Sequence, residues 1–451
     1  MIEAQERPAD IEEEPVLSEG SISWICYGWL ALGMLLRIIY AIRVPYDISP
    51  HDLGPAPGEG KDVYGHLGYI YYLYQHHSLS WIIRRQFYHP PLFHILAASV
   101  FDIAVLFGAD TTRGFEWVQL FNTCIAGGCT LVMFWIFKKL PIHRLLLIPA
   151  AALTALFPSF YILGTEINND CLMTFFSLLC LYALLLWGEE PDGKHFFLVA
   201  AFFICTVWTK WSGILLAPVV LSVLVWILWD RRRYLKRFLI YLPLFFWVVL
   251  PLAMGWMWYL TIGFRVPLYF IPHLPDGDRQ YVGALSPLER LLPAPLWELS
   301  TFRTDLADGD AHGRIWRQTL LTAVFDEGIL SDPNPLLGWV LLWAVYICGL
   351  IGMICAVRLI FDSGVGALYR ILLPVGYFTL LVGYACYCFS NPFISAVNFR
   401  YIPGVLAYGW GATWVVLSAW EGIVGRVMRW VVAACVLVIG VETTLLYAFY
   451  L

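Results

Sequence analysis

Residues 90–108 read PPLFHILAASVFDIAVLFG, and whether they cross a membrane decides the architecture. The stretch is nearly long and apolar enough to span, since a crossing helix needs about 20 such residues. It also opens on Pro90-Pro91 and carries His94 and Asp102. Eleven other segments are apolar over comparable lengths: 23–44, 115–137, 145–163, 171–188, 195–209, 212–229, 238–262, 336–357, 371–390, 401–420 and 430–450. If all twelve crossed, Lys138, Lys139, Arg144 and the run Arg231–Arg233 with Lys236 and Arg237 would lie outside. That violates the bias of Lys and Arg toward short cytoplasmic loops. The conflict disappears if 90–108 lies in the interface instead. Eleven crossings then remain. Loops 138–144, 189–194, 230–237, 358–370 and 421–429 fall in the cytoplasm, and each carries Lys or Arg. Segments 45–114, 164–170, 210–211, 263–335 and 391–400 fall outside.

Composition agrees with a membrane protein. Of 451 residues, 60% are hydrophobic and 14% charged, against roughly half and a quarter in soluble domains. Alternation of period two is weak, which disfavours a β-barrel. The 21 Trp, 25 Tyr and 29 Phe suit rings seated at the headgroups. A net charge of −5 implies no nucleic-acid partner. The 11 Cys fall in apolar segments and read as small fillers, with no metal or disulfide spacing. The acidic start, MIEAQERPADIEEEPVLSEG, lacks a basic n-region and reads as a disordered cytoplasmic tail. The expected organisation is therefore a tail over 1–22 and one polytopic all-α membrane domain over 23–451. That domain has about 11 transmembrane helices, an outer loop 45–114 and a larger outer loop 263–335.

The unusual polar residues gather in the segments assigned outside. Asp47, Asp52 and Asp62 lie in the first outer loop. His66, Tyr69, Tyr72 and His76 follow at helical spacing. His89 stands just before Pro90-Pro91, and Pro is tolerated at a helix start. Glu166, Asn168, Asn169 and Asp170 crowd the mouth of two spans. Lys210 is alone in a tight turn; Arg279, Arg290, Asp326 and Glu327 lie in the long loop; Arg400 and Tyr401 precede Pro403. Ionisable groups near the bilayer are costly and usually paired or functional. An interfacial pocket with acids, His and cations suits a substrate with an anionic phosphate and an apolar tail. A carboxylate there could act as general base on a hydroxyl. Lys, Arg and His could neutralise the phosphate of a leaving group. Asp52, His89, Glu166, Lys210 and Arg400 are expected to meet around one membrane-level cavity open to the exterior.

The ordered set YDISPHDLG, GHLGYI, QFYHPPL, NND and NFRYI resembles the GT-C membrane glycosyltransferases. The pattern is most similar to glycosyltransferase family 39, the dolichyl-phosphate-mannose protein mannosyltransferases, with bacterial aminoarabinose transferases among their relatives. The resemblance runs from Tyr46 to Pro403. It implies a GT-C fold with two juxtamembrane helices in the first outer loop. It also implies a polyprenyl-phosphate sugar donor, transfer with inversion at the extracytoplasmic face, and an Asp base shortly after the first span. The family's Asp-Glu is missing here, so Asp52, Asp47 and Asp62 all remain candidates, in that order. His89 takes the place of the family's basic residue near the donor phosphate, and Glu166 or Asp170 the place of its second acidic site. His66, Asn169, Lys210, Arg400 and Tyr401 complete the expected binding set. No resident cofactor is expected; Glu166 and Asp170 could hold a divalent ion, but family members nearest in pattern mostly work without one. Membrane lipids surround the chain. The acceptor stays open among protein, lipid and polysaccharide, and the sugar is equally hidden.

Plainer readings exist for each residue. The three Asp could be solvated loop residues or caps. His66 and His76 could be interfacial packing, and His89 could cap the helix at Pro90. Asn168–Asp170 could be an N-cap; Lys210 could snorkel to headgroups; Arg400 and Tyr401 could anchor a helix end; Asp326-Glu327 could be an exposed pair. Two other functions compete with sugar transfer. A transporter or flippase of lipid-linked glycan usually shows internal repeats and mid-membrane charges; no repeat is found, and Arg37 is the one charge near mid-span. A non-catalytic subunit of a polysaccharide assembly complex would tolerate loss of the outer cluster. No Gly-rich phosphate loop is present, which disfavours a nucleotide-sugar donor.

Overall fold

Helix α1, Glu19–Arg43, begins where Ser18 accepts a hydrogen bond from the Ser21 amide at 3.1 Å. Glu19 in its first turn and Arg43 in its last complement the helix dipole. The computed structural model describes residues 17–47, 54, 64–80, 86–230, 235–268, 280–292, 313–326 and 335–450. Among them there is no strand, only an isolated bridge between Tyr281 and Phe393. The expected all-α membrane architecture is the one observed.

Seven helices among the described residues are long and apolar enough to cross a membrane: Glu19–Arg43, Thr111–Lys139, Arg144–Thr165, Asp170–Glu189, Leu336–Phe361, Ala367–Ser390 and Gly422–Tyr447. An eighth is made if Leu239–Ala253 and Gly255–Phe264, which meet at 52°, form one span. The bend follows Pro243, a π-helical turn over Phe245–Val249, and Pro251. The other three expected crossings fall on shorter apolar helices, Gly193–Thr209, Trp211–Ile227 and Val405–Ala419. Length and composition therefore mark seven or eight spans, not the eleven expected. The segment 90–108 forms α3, Leu92–Leu106, of 15 residues. At 1.5 Å per residue it runs about 22 Å, short of the ~30 Å hydrocarbon. It packs on α2, Gly65–His76, and on α4, Thr111–Lys139.

The helices that frame the site are held by small residues and repaired breaks. The span Arg144–Thr165 is interrupted at Phe157-Pro158, giving α5, Leu147–Leu156, and α6, Ser159–Thr165. A break leaves carbonyls without helical donors. Arg37 repairs one: its Nη2 donates to the Ala155 carbonyl at 2.5 Å. Its guanidinium lies 5.2 Å from the Tyr161 ring centre and 6.0 Å from that of Phe160. The one mid-span charge thus has a structural employment, which removes the feature that pointed to transport. Next to it, Gly33 lets α1 and α5 touch. A Cβ there would stand 2.4 Å from the Ala155 carbonyl oxygen. Backbone cannot yield as a side chain can, so Gly33→Val is expected to destabilise by about 1–3 kcal/mol. A lower Tm in detergent would show it; an unchanged Tm would mean the helices separate freely.

Helix α4 carries a polar stripe, Gln119, Asn122 and Thr123, on a buried face. Asn122 Nδ2 donates to the Leu163 and Glu166 carbonyls, and Thr123 Oγ1 to the Gly164 carbonyl. Gln119 Nε2 reaches the Val44 carbonyl at 2.9 Å and that of Thr165 at 3.3 Å. These bonds satisfy the last carbonyls of α6, which burial would otherwise leave orphaned. They also fix the turn from which α7, Asp170–Glu189, departs. At the far end of α7, Lys139 and Glu189 pair at 3.1 Å.

The long loop 263–335 is not merely a loop. It contains α8, Ile315–Phe325, an 11-residue helix buried almost throughout. Thr322 Oγ1 accepts the Phe399 amide at 2.9 Å, and Thr319 and Tyr384 share a hydroxyl contact of 2.7 Å. Arg290, from the same loop, is buried and donates to the Cys388 carbonyl at 2.8 Å.

Candidate active site

A cavity of about 720 Å³ opens where α7, the 86–91 turn, the turn around Lys210 and the 398–402 segment converge. His66, His89, Asn169, Asp170, Lys210, Arg400 and Tyr401 all line it. These are seven of the residues expected to bind substrate, drawn from five separate stretches of chain. Tyr384, Tyr387, Trp211 and Ile214 supply aromatic and apolar wall.

The turn before α7 is built from its own side chains. Asn168 Oδ1 accepts the Asp170 amide at 2.9 Å, so Asn168 does the capping. Asn169 is left to brace the neighbouring helix, donating to the Thr209 carbonyl at 2.9 Å. Asp170, 2% exposed, then faces the cavity with both oxygens engaged by cations. Lys210 Nζ pairs with Oδ1, and Arg400 Nε lies 4.0 Å from Oδ2. Lys210 is buried, so it does not snorkel as the plain reading had it. Its ammonium sits 4.4 Å from the Tyr401 ring centre, near enough for a cation–π contact. Arg400 is aimed by its neighbours: Asn398 Oδ1 accepts its amide at 2.9 Å, and its Nη2 donates to the Tyr401 hydroxyl at 3.0 Å. Among the described residues two cations face one carboxylate on this wall, an arrangement suited to an anion.

His89 does not cap α3, whose N-cap is Pro91 with no side-chain cap bond. Gln86 turns the chain at φ +71, the His89 amide bonds the Gln86 carbonyl at 3.2 Å, and Trp256 Nε1 holds the Tyr88 carbonyl at 2.9 Å. The turn delivers the imidazole to the cavity. Burial, with His66, Lys210, His94 and Arg400 beside it, holds the His89 imidazole well below the usual histidine range. His89 is therefore neutral at physiological pH and serves as a hydrogen-bonding group, not a second cation. Because the folded value is depressed, the unfolded chain binds the extra proton as pH falls below about 6.5. Stability attributable to His89 is thus complete above that pH and is lost on acidification. The unfolding free energy of wild type should fall from pH 7.5 to 5.5 more steeply than that of His89→Gln, by up to about 1.4 kcal/mol per pH unit, and its Tm should fall with it. Parallel curves would contradict this.

Other expected residues lie elsewhere. Glu166 is buried but does not line the cavity: Asn168 Nδ2 holds its carboxylate at 2.6 Å. It and Asp326 lie within electrostatic reach of Tyr40 instead. Asp326 is 2% exposed and adopts φ +58, so it is not an exposed loop residue; Glu327 lies outside the described residues. Asp47 is exposed and is not among the lining residues. Asp52 and Asp62, with Arg279, lie outside the described residues. His76 is exposed, whereas His66 is buried. Among the described residues no three His, Cys, Asp or Glu form a group able to hold a metal ion. The stripe Gln119, Asn122, Thr123 was missed, although its i, i+3, i+4 spacing on an apolar span is visible in sequence.

The family model for dolichyl-phosphate-mannose-protein mannosyltransferases matches residues 89–267. The chain is similar to those glycosyltransferases. That match spans His89, Glu166, Asp170 and Lys210, and the resemblance read from the motifs is borne out with it. The reading of the chain as an enzyme, a membrane glycosyltransferase, stands likewise. Two solved structures also match, both at 16% identity and TM-score 0.37, covering 92% of this chain. They are ArnT from Cupriavidus metallidurans bound to undecaprenyl phosphate, of which 78% is covered, and the same protein in the apo state, of which 77% is covered. No curated protein matches.

Proposed function

We propose that the chain transfers a sugar from a polyprenyl-phosphate donor to a hydroxyl acceptor at the extracytoplasmic face, with inversion. The observation that carries the reading is the single cavity shared by Lys210, Arg400, Asp170 and His89 at the head of membrane-crossing helices. The ArnT structure binds a lipid of that phosphate class. In this scheme the acceptor oxygen attacks the anomeric carbon, and the bond from that carbon to the phosphate oxygen breaks. The departing polyprenyl phosphate takes the electron pair, and Lys210 and Arg400 stabilise the growing charge. The acceptor proton goes to a carboxylate base, for which Asp52, Asp47 and Asp62 remain the candidates; of these the exposed Asp47 has least support. Orientation is supported by Lys138 and Lys139 at the end of α4, which the bias of basic residues would assign to the cytoplasm; Lys139 pairs there with Glu189, at the end of α7 opposite Asp170. The eleven-span topology is part of this proposal.

Purified protein given a labelled polyprenyl-phosphate hexose and a mixed acceptor pool should release polyprenyl phosphate and label the acceptor. Movement of intact donor across vesicles without any covalent change would replace this reading with transport.

A further inference from the structure

Asp170 lines the cavity and engages the two cations that a phosphate would need. Its Oδ1 pairs with Lys210 Nζ, and its Oδ2 lies 4.0 Å from Arg400 Nε. It belongs to the first turn of α7, where the helix dipole also favours negative charge. The backbone that carries it is fixed. Asn168 Oδ1 accepts the Asp170 amide at 2.9 Å, and the Asp170 carbonyl accepts from Thr174 Oγ1 at 2.9 Å.

An acid so placed could hold the two cations in position for a ligand, or it could occupy them until a ligand takes them. Tyr401 separates these roles. Lys210 Nζ lies 4.4 Å from the Tyr401 ring centre. The Arg400 guanidinium carbon lies 5.0 Å from the same centre, and Arg400 Nη2 donates to the Tyr401 hydroxyl at 3.0 Å. Backbone bonds do the rest. The Lys210 amide bonds the Thr206 carbonyl at 3.0 Å, and Asn398 Oδ1 accepts the Arg400 amide at 2.9 Å. Both cations are thus placed by contacts that do not involve Asp170. What Asp170 adds is negative charge. A phosphate bound to Lys210 would stand at most about 6 Å from the carboxylate, twice the length of a charge-assisted hydrogen bond. Like charges that close, in a cavity of low polarity, repel.

We propose that Asp170 is a built-in competitor for the phosphate of the lipid substrate. It neutralises Lys210 and Arg400 before the lipid arrives, yields Lys210 to the phosphate, and reclaims it as polyprenyl phosphate leaves. Asp170 thereby sets the affinity of the anionic product and the pace of its release. That the anion is a polyprenyl phosphate rests on the proposed transfer reaction, whereas the competition does not.

The test compares full-length wild type in nanodiscs with Asp170→Asn, which keeps the shape and drops the charge. Polyprenyl phosphate should bind Asp170→Asn about 10–100-fold more tightly, the scale of one hydrogen bond to a charged group. The gain should lie mainly in slower dissociation. Polyprenol, the same tail without phosphate, should bind both forms alike. In transfer assays kcat and the donor KM should fall together, and added polyprenyl phosphate should inhibit the variant at lower concentration. An acid that only positions the cations gives the opposite sign. Equal or weaker phosphate binding by Asp170→Asn would overturn the proposal. A wild-type structure with polyprenyl phosphate bound supplies a check that needs no variant. Lys210 Nζ should bond the phosphate and no longer Asp170 Oδ1; an intact Lys210–Asp170 pair beside bound phosphate contradicts the competition. If polyprenyl phosphate binds neither form, the transfer reading fails and inorganic phosphate decides. It should raise the Tm of Asp170→Asn more than that of wild type, and equal shifts would overturn the competition as well.

Discussion

Changing Lys210 to Met is expected to lower kcat/KM for sugar transfer by about 10²–10³, the loss that follows removal of one preorganised charge-stabilising group. The ammonium is buried beside Asp170 and Tyr401, where low polarity magnifies its effect on a departing phosphate. Its loss also leaves Asp170 a buried carboxylate without its main partner, which costs about 3–5 kcal/mol of stability. A collapse of the fold would imitate a catalytic defect. The double variant Lys210→Met with Asp170→Asn removes both charges and should recover most of the Tm without recovering turnover. Recovery of turnover in the double variant would show that Lys210 matters only as a counter-ion to Asp170.

The second large effect concerns the base. Among Asp47, Asp52 and Asp62, one change to Asn should lower kcat by about 10²–10⁴ while KM for the donor moves little. Asp52 is the first choice, since it follows the first span most closely in the motif-bearing stretch YDISPHDLG after the exposed Asp47. Because Asn keeps the volume and polarity of Asp, folding should be preserved. Normal turnover in all three single variants would remove the carboxylate base from the mechanism.

Much of this site is legible in the sequence because each member breaks a local rule. A Lys between two apolar runs, an Asn-Asn-Asp at a span start and an Arg-Tyr before a Pro are conspicuous against 60% hydrophobic residues. Charge counting bears on 90–108 as well, because a segment that crosses would invert every loop after it; the segment folds as a 15-residue helix. What sequence does not reveal is direction within a turn. Glu166 and Asp170 look equivalent by composition, yet Asn168 binds the carboxylate of one and caps the amide of the other. They therefore face different sides. The same holds for His89, whose neutrality comes first from burial and then from cationic and imidazole neighbours that include Lys210 and Arg400. Those two cations are over a hundred residues away in the chain. The supporting layer was hidden for another reason. Thr319 and Thr322 act through Tyr384 and the Phe399 amide, and a Thr on a short helix inside a loop carries no signal of its partner. Breaks at Pro158 and Met254 were likewise read as continuous spans, since apolar composition does not register a bend.

Everything rests on an anionic lipid head being held between Lys210 and Arg400. The most direct measurement is a structure of the protein with polyprenyl phosphate bound. The account predicts phosphate oxygens within about 3 Å of Lys210 Nζ and the Arg400 guanidinium, the reach of charge-assisted hydrogen bonds, with His89 alongside. Phosphate density at the Lys139–Glu189 end of α7, or an occupied cavity whose ligand touches neither cation, would contradict it.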